Sequence, residues 1–223
     1  MGSAMIAPQD MTLDELGMAL APLLPRHAAF DGWSPQALAM AAQELGVPAD
    51  RAALCFPGGQ ADMIDAWFDS IDRAMLEAFP PDRIAAMKIR ARIRELVLFR
   101  LTTAHPHREA LRRALAILAL PRNAARAARL AWRSADRIWR LAGDTATDFN
   151  HYSKRAILTG VYGSTTFVFL DDESDDLAET KAFLDRRIDD VMRFEKFKAR
   201  WKGQSHRRPS LSRFLGRLRY PAV

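Results

Sequence analysis

The sequence predicts an all-α fold, and three observations support this prediction. Apolar residues recur at helical spacing along nearly the whole chain. Stop signals separate the periodic stretches, among them Gly46-Val47-Pro48, Pro57-Gly58-Gly59 and Pro80-Pro81. Repeated alternation of apolar with polar residues, which would predict strands, is absent from the sequence.

The spacing predicts helices in nine stretches, each ended by one of these signals. They are residues 11–24, 34–45, 49–55, 60–79, 82–104, 106–119, 121–142, 149–170 and 176–201. Ser34 followed by Pro35 is typical of a helix N-cap and first turn. No low-complexity linker occurs before residue 202, so we expect one helical domain over 10–201 and a tail over 202–223.

The formal net charge of +6 is carried by the tail. Residues 202–223 hold six Lys and Arg and neither Asp nor Glu, whereas residues 1–201 hold 27 of each sign. Apolar side chains share one face of a predicted helix there, with arginines beside them, which predicts a cationic amphipathic helix on an anionic bilayer. A helix docked on its own domain and a nucleic-acid-binding arm are the alternatives. The expected membrane-binding residues are Leu211, Arg213, Phe214, Leu215, Arg217 and Leu218.

The composition also bounds the location of the protein. The single cysteine, Cys55, excludes an intramolecular disulfide framework and favours a reducing compartment. Its apolar surroundings predict a buried thiol rather than a reactive one. No run approaches the roughly 20 apolar residues that a membrane-spanning helix needs, and the start does not have a signal-peptide pattern. We therefore expect a cytoplasmic protein, peripheral on the inner face of the membrane.

The N-terminal part contains a helix-turn-helix pattern. An apolar first helix is followed by FDGWSPQALAMAAQELGVPADRAALCFPGG and then by a long helix. Residues 12–68 thereby resemble the N-terminal domain of TetR-family repressors, which implies a TetR-like helical bundle. The helix-turn-helix part would be 10–80, the ligand-binding helical core 81–201, and a homodimer would form through 149–170 and 176–201.

The charge of this region argues against DNA binding. Residues 30–81 hold eight carboxylates and two arginines, Arg51 and Arg73, and DNA affinity comes mainly from cations meeting phosphates. Asp62, Asp65, Asp69 and Asp72 follow one another at helical spacing, which predicts a solvated acidic face. We expect no specific DNA recognition.

A second informative segment is GDTATDFNHYSKRAILTGVYGSTTFVFL at 143–170. Cap-type residues precede a predicted helix that is polar in its first turns and apolar on nearly all sides afterwards. Glycines inside it cost about 1 kcal/mol each relative to alanine, so they need a packing or functional reason. Close helix contact is one reading. Room for an apolar ligand, walled by Phe167, Phe169, Trp132 and Trp139, is the other.

This segment, together with FDGWS, FPGG, DAWFD and FLDRRIDDVMRFEK, is similar to the ubiquinone-biosynthesis accessory protein family, the ninth of the Coq series. The resemblance spans roughly residues 12–198. It implies a TetR fold without DNA-binding function and no catalytic activity or cofactor. It also implies a bound lipid or polyprenyl quinone precursor that is presented to the di-iron demethoxyubiquinone hydroxylase. The expected lipid-binding residues are Trp132, Trp139, Ile157, Gly160, Val161, Gly163, Ser164, Phe167 and Phe169.

The same resemblance implies a surface that binds the hydroxylase. It would comprise Asp148, Asn150, His151, Tyr152, Lys154 and Arg155. The family usually has tryptophan before this tyrosine, where this chain has His151, so the affinity for the partner and its identity stay open. Aromatic residues and arginine are the common anchors of interfaces.

Catalytic and metal-binding motifs are weak. His105-Pro106-His107 offers two histidines without companion ligands, and the acidic run from Asp171 to Asp176 does not have the pattern of an EF-hand and predicts a solvated linker. No P-loop, dinucleotide fingerprint or nucleophile elbow is present. A TetR-like transcriptional regulator with an apolar effector and a scaffold without ligand are the alternative functions.

Overall fold

The structure, a computed structural model, describes residues 7–145 and 149–205, with side chains over 7–145 and 151–193. Within these ranges it is helical and contains no strand, which confirms the all-α prediction. The α-helices are α1 (Leu13–Leu20), α2 (Leu24–Asp31), α3 (Pro35–Leu45), α4 (Ala49–Leu54), α5 (Gln60–Ala78), α6 (Pro81–Ala85), α7 (Ile89–Ala104), α8 (Arg108–Leu118), α9 (Ala124–Leu141), α10 (Phe149–Asp171) and α11 (Ala178–Ser205).

The chain divides into two compact units, one that ends at Leu184 and one that begins at Asp185. The first contains α1–α10 and the start of α11, and its buried core includes Leu16, Ile64 and Leu96. In the second unit, residues 185–205 continue α11. The tail residues 206–223, with the expected membrane-binding helix, lie outside the described residues.

The helix predicted over 11–24 is shorter in the structure, because α1 covers only Leu13–Leu20, and a further helix, α2, runs from Leu24 to Asp31. Thr12 and Glu15 form a reciprocal capping box at the start of α1. Pro25, a residue type that usually ends a helix, instead lies in the first turn of α2, where no residue has an intrahelical partner for its N–H. The sequence pattern therefore did not predict α2.

The predicted helix-turn-helix is present as α3 and α4. The Ser34 hydroxyl accepts from the backbone N–H of Ala37 at the start of α3. Gly46 ends α3 with φ of 75°, a left-handed conformation that favours glycine. Trp33 is buried before α3, and its indole N–H donates to the carbonyl of Ala110 in α8 at 3.0 Å. The motif is thereby fixed to the helices that follow.

The helix predicted over 82–104 is also interrupted, because α6 ends before Met87 and α7 begins after Lys88. Arg92 holds this junction together: its Nε donates to the Met87 carbonyl, and one Nη donates to the Ala142 carbonyl, each at 2.8 Å. The joint between α6 and α7 is thus bound to the end of α9.

The acidic run after α10 is only partly the solvated linker that the sequence predicted. Asp171 and Asp175 are exposed, but Asp172 is buried. Its carboxylate accepts from the backbone N–H and the hydroxyl of both Ser174 and Thr180. Burial disfavours this charge, but the four hydrogen bonds outweigh burial and hold the pKa of Asp172 far below its ordinary value. Asp172 therefore organises the turn into α11.

Candidate ligand pocket and docking surface

An apolar pocket of about 550 Å³ lies among α7, α8, α9 and α10. Its volume is within the range of about 300–1,000 Å³ that is usual for small-molecule sites. The principal apolar side chains of its wall are Phe68, Leu111, Leu115, Leu118, Leu130, Phe167 and Leu170. A second groove of about 470 Å³ between α1 and α5 is lined by several carboxylates and arginines, so it suits an apolar ligand less well.

Small residues keep the apolar pocket open. Alanines of α8 and α9 face it, and α10 contributes Gly163. A Cβ atom built on Gly163 meets nothing within 4 Å among the described atoms. Close helix contact is therefore not found at this glycine within the described residues, and open space lies beside it.

Two of the nine expected lipid-binding residues line the pocket. They are Gly163 and Phe167, which follow each other by four positions on one face of α10. The other seven expected residues do not line this pocket: Trp132, Trp139, Ile157, Gly160, Val161, Ser164 and Phe169. Phe169 is fully buried elsewhere in the core, where Arg108 lies over its ring.

Most residues of the pocket wall were not predicted from the sequence. Thr159, Tyr162 and Thr166 lie on the same face of α10 as Gly163. Their spacing of three and four residues in the sequence could have predicted that they share this face. The residues of α8 that face the pocket give no such signal, because leucines at helical spacing are equally typical of a helix face buried in the core. The buried Arg100 was missed because an arginine in a helix usually faces water.

The candidate docking surface lies where α10 begins beside α9. Tyr152 is 61% exposed, and its ring lies 6.1 Å from that of Trp132, which is 36% exposed. His151 contacts the edge of the same tyrosine ring. The side chains of Asp148 and Asn150 lie outside the described residues. The exposed aromatic pair therefore belongs to α9 and α10 together.

Two cations of the expected docking surface are engaged within the fold. Arg155 is 1% exposed, and its guanidinium pairs with Asp136 and Asp144. Lys154 also pairs with Asp144, at 2.6 Å, and its backbone carbonyl accepts from the indole N–H of Trp139. Arg155 is thus a structural residue rather than an exposed contact, because the carboxylates of α9 and the following loop draw it inward.

The acidic stripe of α5 is not the solvated face that the sequence predicted. Asp62 pairs with Arg126 of α9 at 2.6 Å, and Asp65 pairs with Arg133. The stripe therefore binds α5 to α9. Further along, Asp69 and Asp72 share Arg137 of α9, and the buried Asp72 also pairs with the buried Arg100 of α7. We call these ion pairs the carboxylate–arginine ladder.

Helix α4 occupies the position of the recognition helix in a helix-turn-helix motif, and its one arginine, Arg51, is hydrogen-bonded within the protein. Arg51 donates to the backbone carbonyls of Pro8, Gln9 and Met11, so its charge is bound to the segment before α1. The net negative charge counted over residues 30–81 is also partly neutralised, because the carboxylate–arginine ladder pairs the α5 carboxylates with arginines of α9. The one arginine of α4 is therefore bound to backbone carbonyls, whereas the cations of a DNA-binding helix contact phosphates.

Groups with the potential for other chemistry are few. Burial raises the pKa of the Cys55 thiol, which disfavours a nucleophilic thiolate. Burial also lowers the pKa of His107. Over the described side chains, no group of three or more His, Cys, Asp and Glu is arranged to hold a metal ion.

These features define a class of protein: an all-α TetR-like bundle with a helix-turn-helix at its start and an apolar pocket between its later helices. In agreement, the chain superposes on the crystal structure of the TetR transcriptional regulator from Nitrosomonas europaea with a TM-score of 0.63. The match covers 78% of this chain and 97% of that one at 24% sequence identity, and it shows the fold.

Sequence comparison identifies the family. Residues 124–195 match the family model described as COQ9. "Ubiquinone biosynthesis protein COQ9, mitochondrial" of Rattus norvegicus is 33% identical over 168 residues, which are 72% of this chain and 54% of that protein. The human protein of the same name is 31% identical over 176 residues, 76% of this chain and 54% of its own length. The chain belongs to the COQ9 family, and it spans about half the length of these curated relatives.

Proposed function

We propose that this protein is a non-catalytic accessory protein of ubiquinone biosynthesis that holds an isoprenoid quinone intermediate or a related lipid. The observation that carries the proposal is the apolar pocket of about 550 Å³ among α7–α10. Such a pocket removes an apolar ligand from water, which is the main driving force for binding it. The names of the relatives, which refer to ubiquinone biosynthesis, support the choice of a quinone intermediate as the ligand.

The proposal includes a partner and a membrane. The exposed Tyr152 and Trp132 supply aromatic anchors of the kind that interfaces use, and the partner would be the di-iron demethoxyubiquinone hydroxylase, which performs the chemistry. The tail over 202–223 would hold the protein on an anionic bilayer. None of the described helices is long and apolar enough to cross a membrane. A homodimer is proposed by analogy with the fold.

Filling the pocket tests the function directly. We expect Gly163→Leu to reduce the lipid that copurifies with the protein, measured by mass spectrometry of extracted lipids, because the new side chain occupies the space for the ligand. A loss of about 1.4 kcal/mol of contact lowers the affinity tenfold. Gly160→Leu is the matched control: it lies on the same helix, meets nothing within 4 Å and does not line the pocket.

Both substitutions replace a helical glycine, so each should raise helix propensity by a similar amount, somewhat under 1 kcal/mol. Melting temperatures of the two variants therefore separate pocket filling from unfolding. Wild-type protein without bound lipid, or equal lipid content in the two variants, would contradict the proposal.

Docking is tested at the exposed tyrosine. We expect Tyr152→Ala to weaken binding of the hydroxylase by about thirtyfold or more, because truncating an aromatic hot-spot residue costs about 2 kcal/mol or more. Pull-down or calorimetric titration with the purified hydroxylase measures this. The lipid content should stay unchanged, since Tyr152 is not part of the pocket lining. Unchanged hydroxylase affinity would remove this surface from the proposal.

A further inference from the structure

The apolar pocket has a polar inner end formed by three helices. Arg100 of α7 is buried, and its Nε donates to the hydroxyl of Tyr162 in α10 at 3.2 Å. One Nη of the same guanidinium donates to the hydroxyl of Ser134 in α9 at 3.0 Å. All three residues line the pocket. One guanidinium therefore orients two hydroxyl groups in an otherwise apolar wall.

These two hydroxyls differ from the other hydroxyls of the lining. The Thr159 hydroxyl donates to the Arg155 carbonyl and the Thr166 hydroxyl to the Tyr162 carbonyl, each at 2.8 Å, so their protons are used within α10. Tyr162 and Ser134 instead accept from Arg100, which leaves each hydroxyl proton available for donation. A hydroxyl that accepts from a cation is also polarised toward stronger donation.

The charges of the lining favour a neutral ligand. Arg100 pairs with the buried Asp72, and Arg112 pairs with Asp171 and Glu109. Each cation of the lining thus already has a carboxylate. An ionised ligand group would lose its hydration in the pocket and would find no unpaired cation there to compensate for the loss. A neutral hydrogen-bond acceptor loses less hydration and meets two donors.

We propose that Tyr162 and Ser134 form a polar subsite that receives a neutral carbonyl oxygen at the end of an otherwise apolar ligand. Such an oxygen is carried by a quinone ring and by an ester. This subsite rests on the proposed function of the pocket and deepens it, since it defines which end of the ligand enters and what chemistry that end has. The apolar part of the ligand lies along α8 and Phe167, toward the mouth, where Phe167 is 68% exposed.

Four probes with the same decyl chain test the subsite on the full, delipidated protein. They are 2,3-dimethoxy-5-methyl-6-decyl-1,4-benzoquinone, methyl 4-decylbenzoate, ionised 4-decylbenzoate and decylbenzene. Equilibrium partitioning between protein and cyclodextrin gives each affinity. We expect the quinone to bind about three- to tenfold more tightly than decylbenzene, the gain from one to two hydrogen bonds. The benzoate anion should bind more weakly than its methyl ester.

Substitutions then assign the gain to the two hydroxyls. Tyr162→Phe and Ser134→Ala should each reduce the preference for the quinone over decylbenzene, while the affinity for decylbenzene stays the same. Thr159→Val is the matched control, because it removes a lining hydroxyl whose proton is already donated to the backbone. A melting curve of each variant verifies that it is folded.

The outcomes separate the subsite from the function of the pocket. If the ester binds as tightly as the quinone, the subsite accepts any neutral carbonyl oxygen. If only the quinone binds more tightly than decylbenzene, the subsite is specific for the carbonyl of a quinone ring. If decylbenzene binds but Tyr162→Phe and Ser134→Ala retain the full preference, or Thr159→Val loses it equally, the subsite is wrong and the apolar pocket stands. If no probe binds to the wild type, both proposals fail.

Discussion

Replacing Asp72 by alanine is expected to lower the free energy of unfolding by about 3–5 kcal/mol, the usual cost of breaking a buried ion pair. Asp72 is fully buried, and it pairs with Arg100, which is 1% exposed, and with Arg137. Without the carboxylate, the guanidinium of Arg100 stays in the core uncompensated. Urea denaturation at pH 7 measures the effect.

Asp65→Ala is the matched control for this substitution. It removes another carboxylate of the same stripe, but Asp65 and its partner Arg133 are each about one third exposed. Water replaces the lost partner there, so we expect a cost of at most about 1 kcal/mol. Equal losses for the two variants would contradict the distinction between the buried end of the ladder and its exposed end.

A double variant separates burial of charge from packing. Asp72→Leu combined with Arg100→Met replaces the buried pair by apolar side chains. We expect it to recover much of the stability that Asp72→Ala loses, because no buried charge remains at this position. The double variant should still lose the preference of the pocket for the quinone, because the guanidinium that orients the two hydroxyls is absent.

The sequence predicts local features of this fold better than contacts between helices. The turn between α3 and α4 followed from Gly46 and its neighbours, because a left-handed helix end is a local requirement. The partners of the α5 carboxylates did not follow, since Arg126 and Arg137 lie more than 60 residues further along the chain. Helical spacing predicts a polar stripe equally well for a solvated face and for an ion-paired one.

The candidate site shows the same limit. Gly163 and Phe167 were predicted from one helix, because glycine inside an apolar helix indicates either close helix contact or space for a ligand. Trp132 and Trp139 were assigned to the pocket only because they are large and apolar; in the structure Trp132 contacts Tyr152, and Trp139 binds the backbone of Lys154. Which helix faces which is a tertiary property, and no local pattern in α9 encodes it.

Replacing Asp172 by asparagine is expected to lower the free energy of unfolding by about 2–3 kcal/mol at pH 7. The carboxylate accepts four hydrogen bonds from Ser174 and Thr180, and bonds to a charged acceptor contribute about 1.5–3 kcal/mol each before the cost of burial is subtracted. The amide has nearly the same shape but only one acceptor oxygen, so its NH₂ group faces donors. Asp175→Asn, at an exposed carboxylate of the same turn, is the control, with an expected change within about 0.5 kcal/mol.

The pH dependence of this loss identifies its cause. The folded state holds the pKa of Asp172 below the value near 4 of an unfolded aspartate, so the charged form is favoured by folding. The stability that it contributes is complete above that value and declines as the pH falls toward the folded pKa, because the unfolded chain binds a proton first. The difference between wild type and Asp172→Asn should therefore be constant from pH 7 to 5 and shrink below about pH 4. A difference that persists undiminished at pH 3 would mean that the shape of the turn, rather than the charge of Asp172, stabilises the junction of α10 with α11.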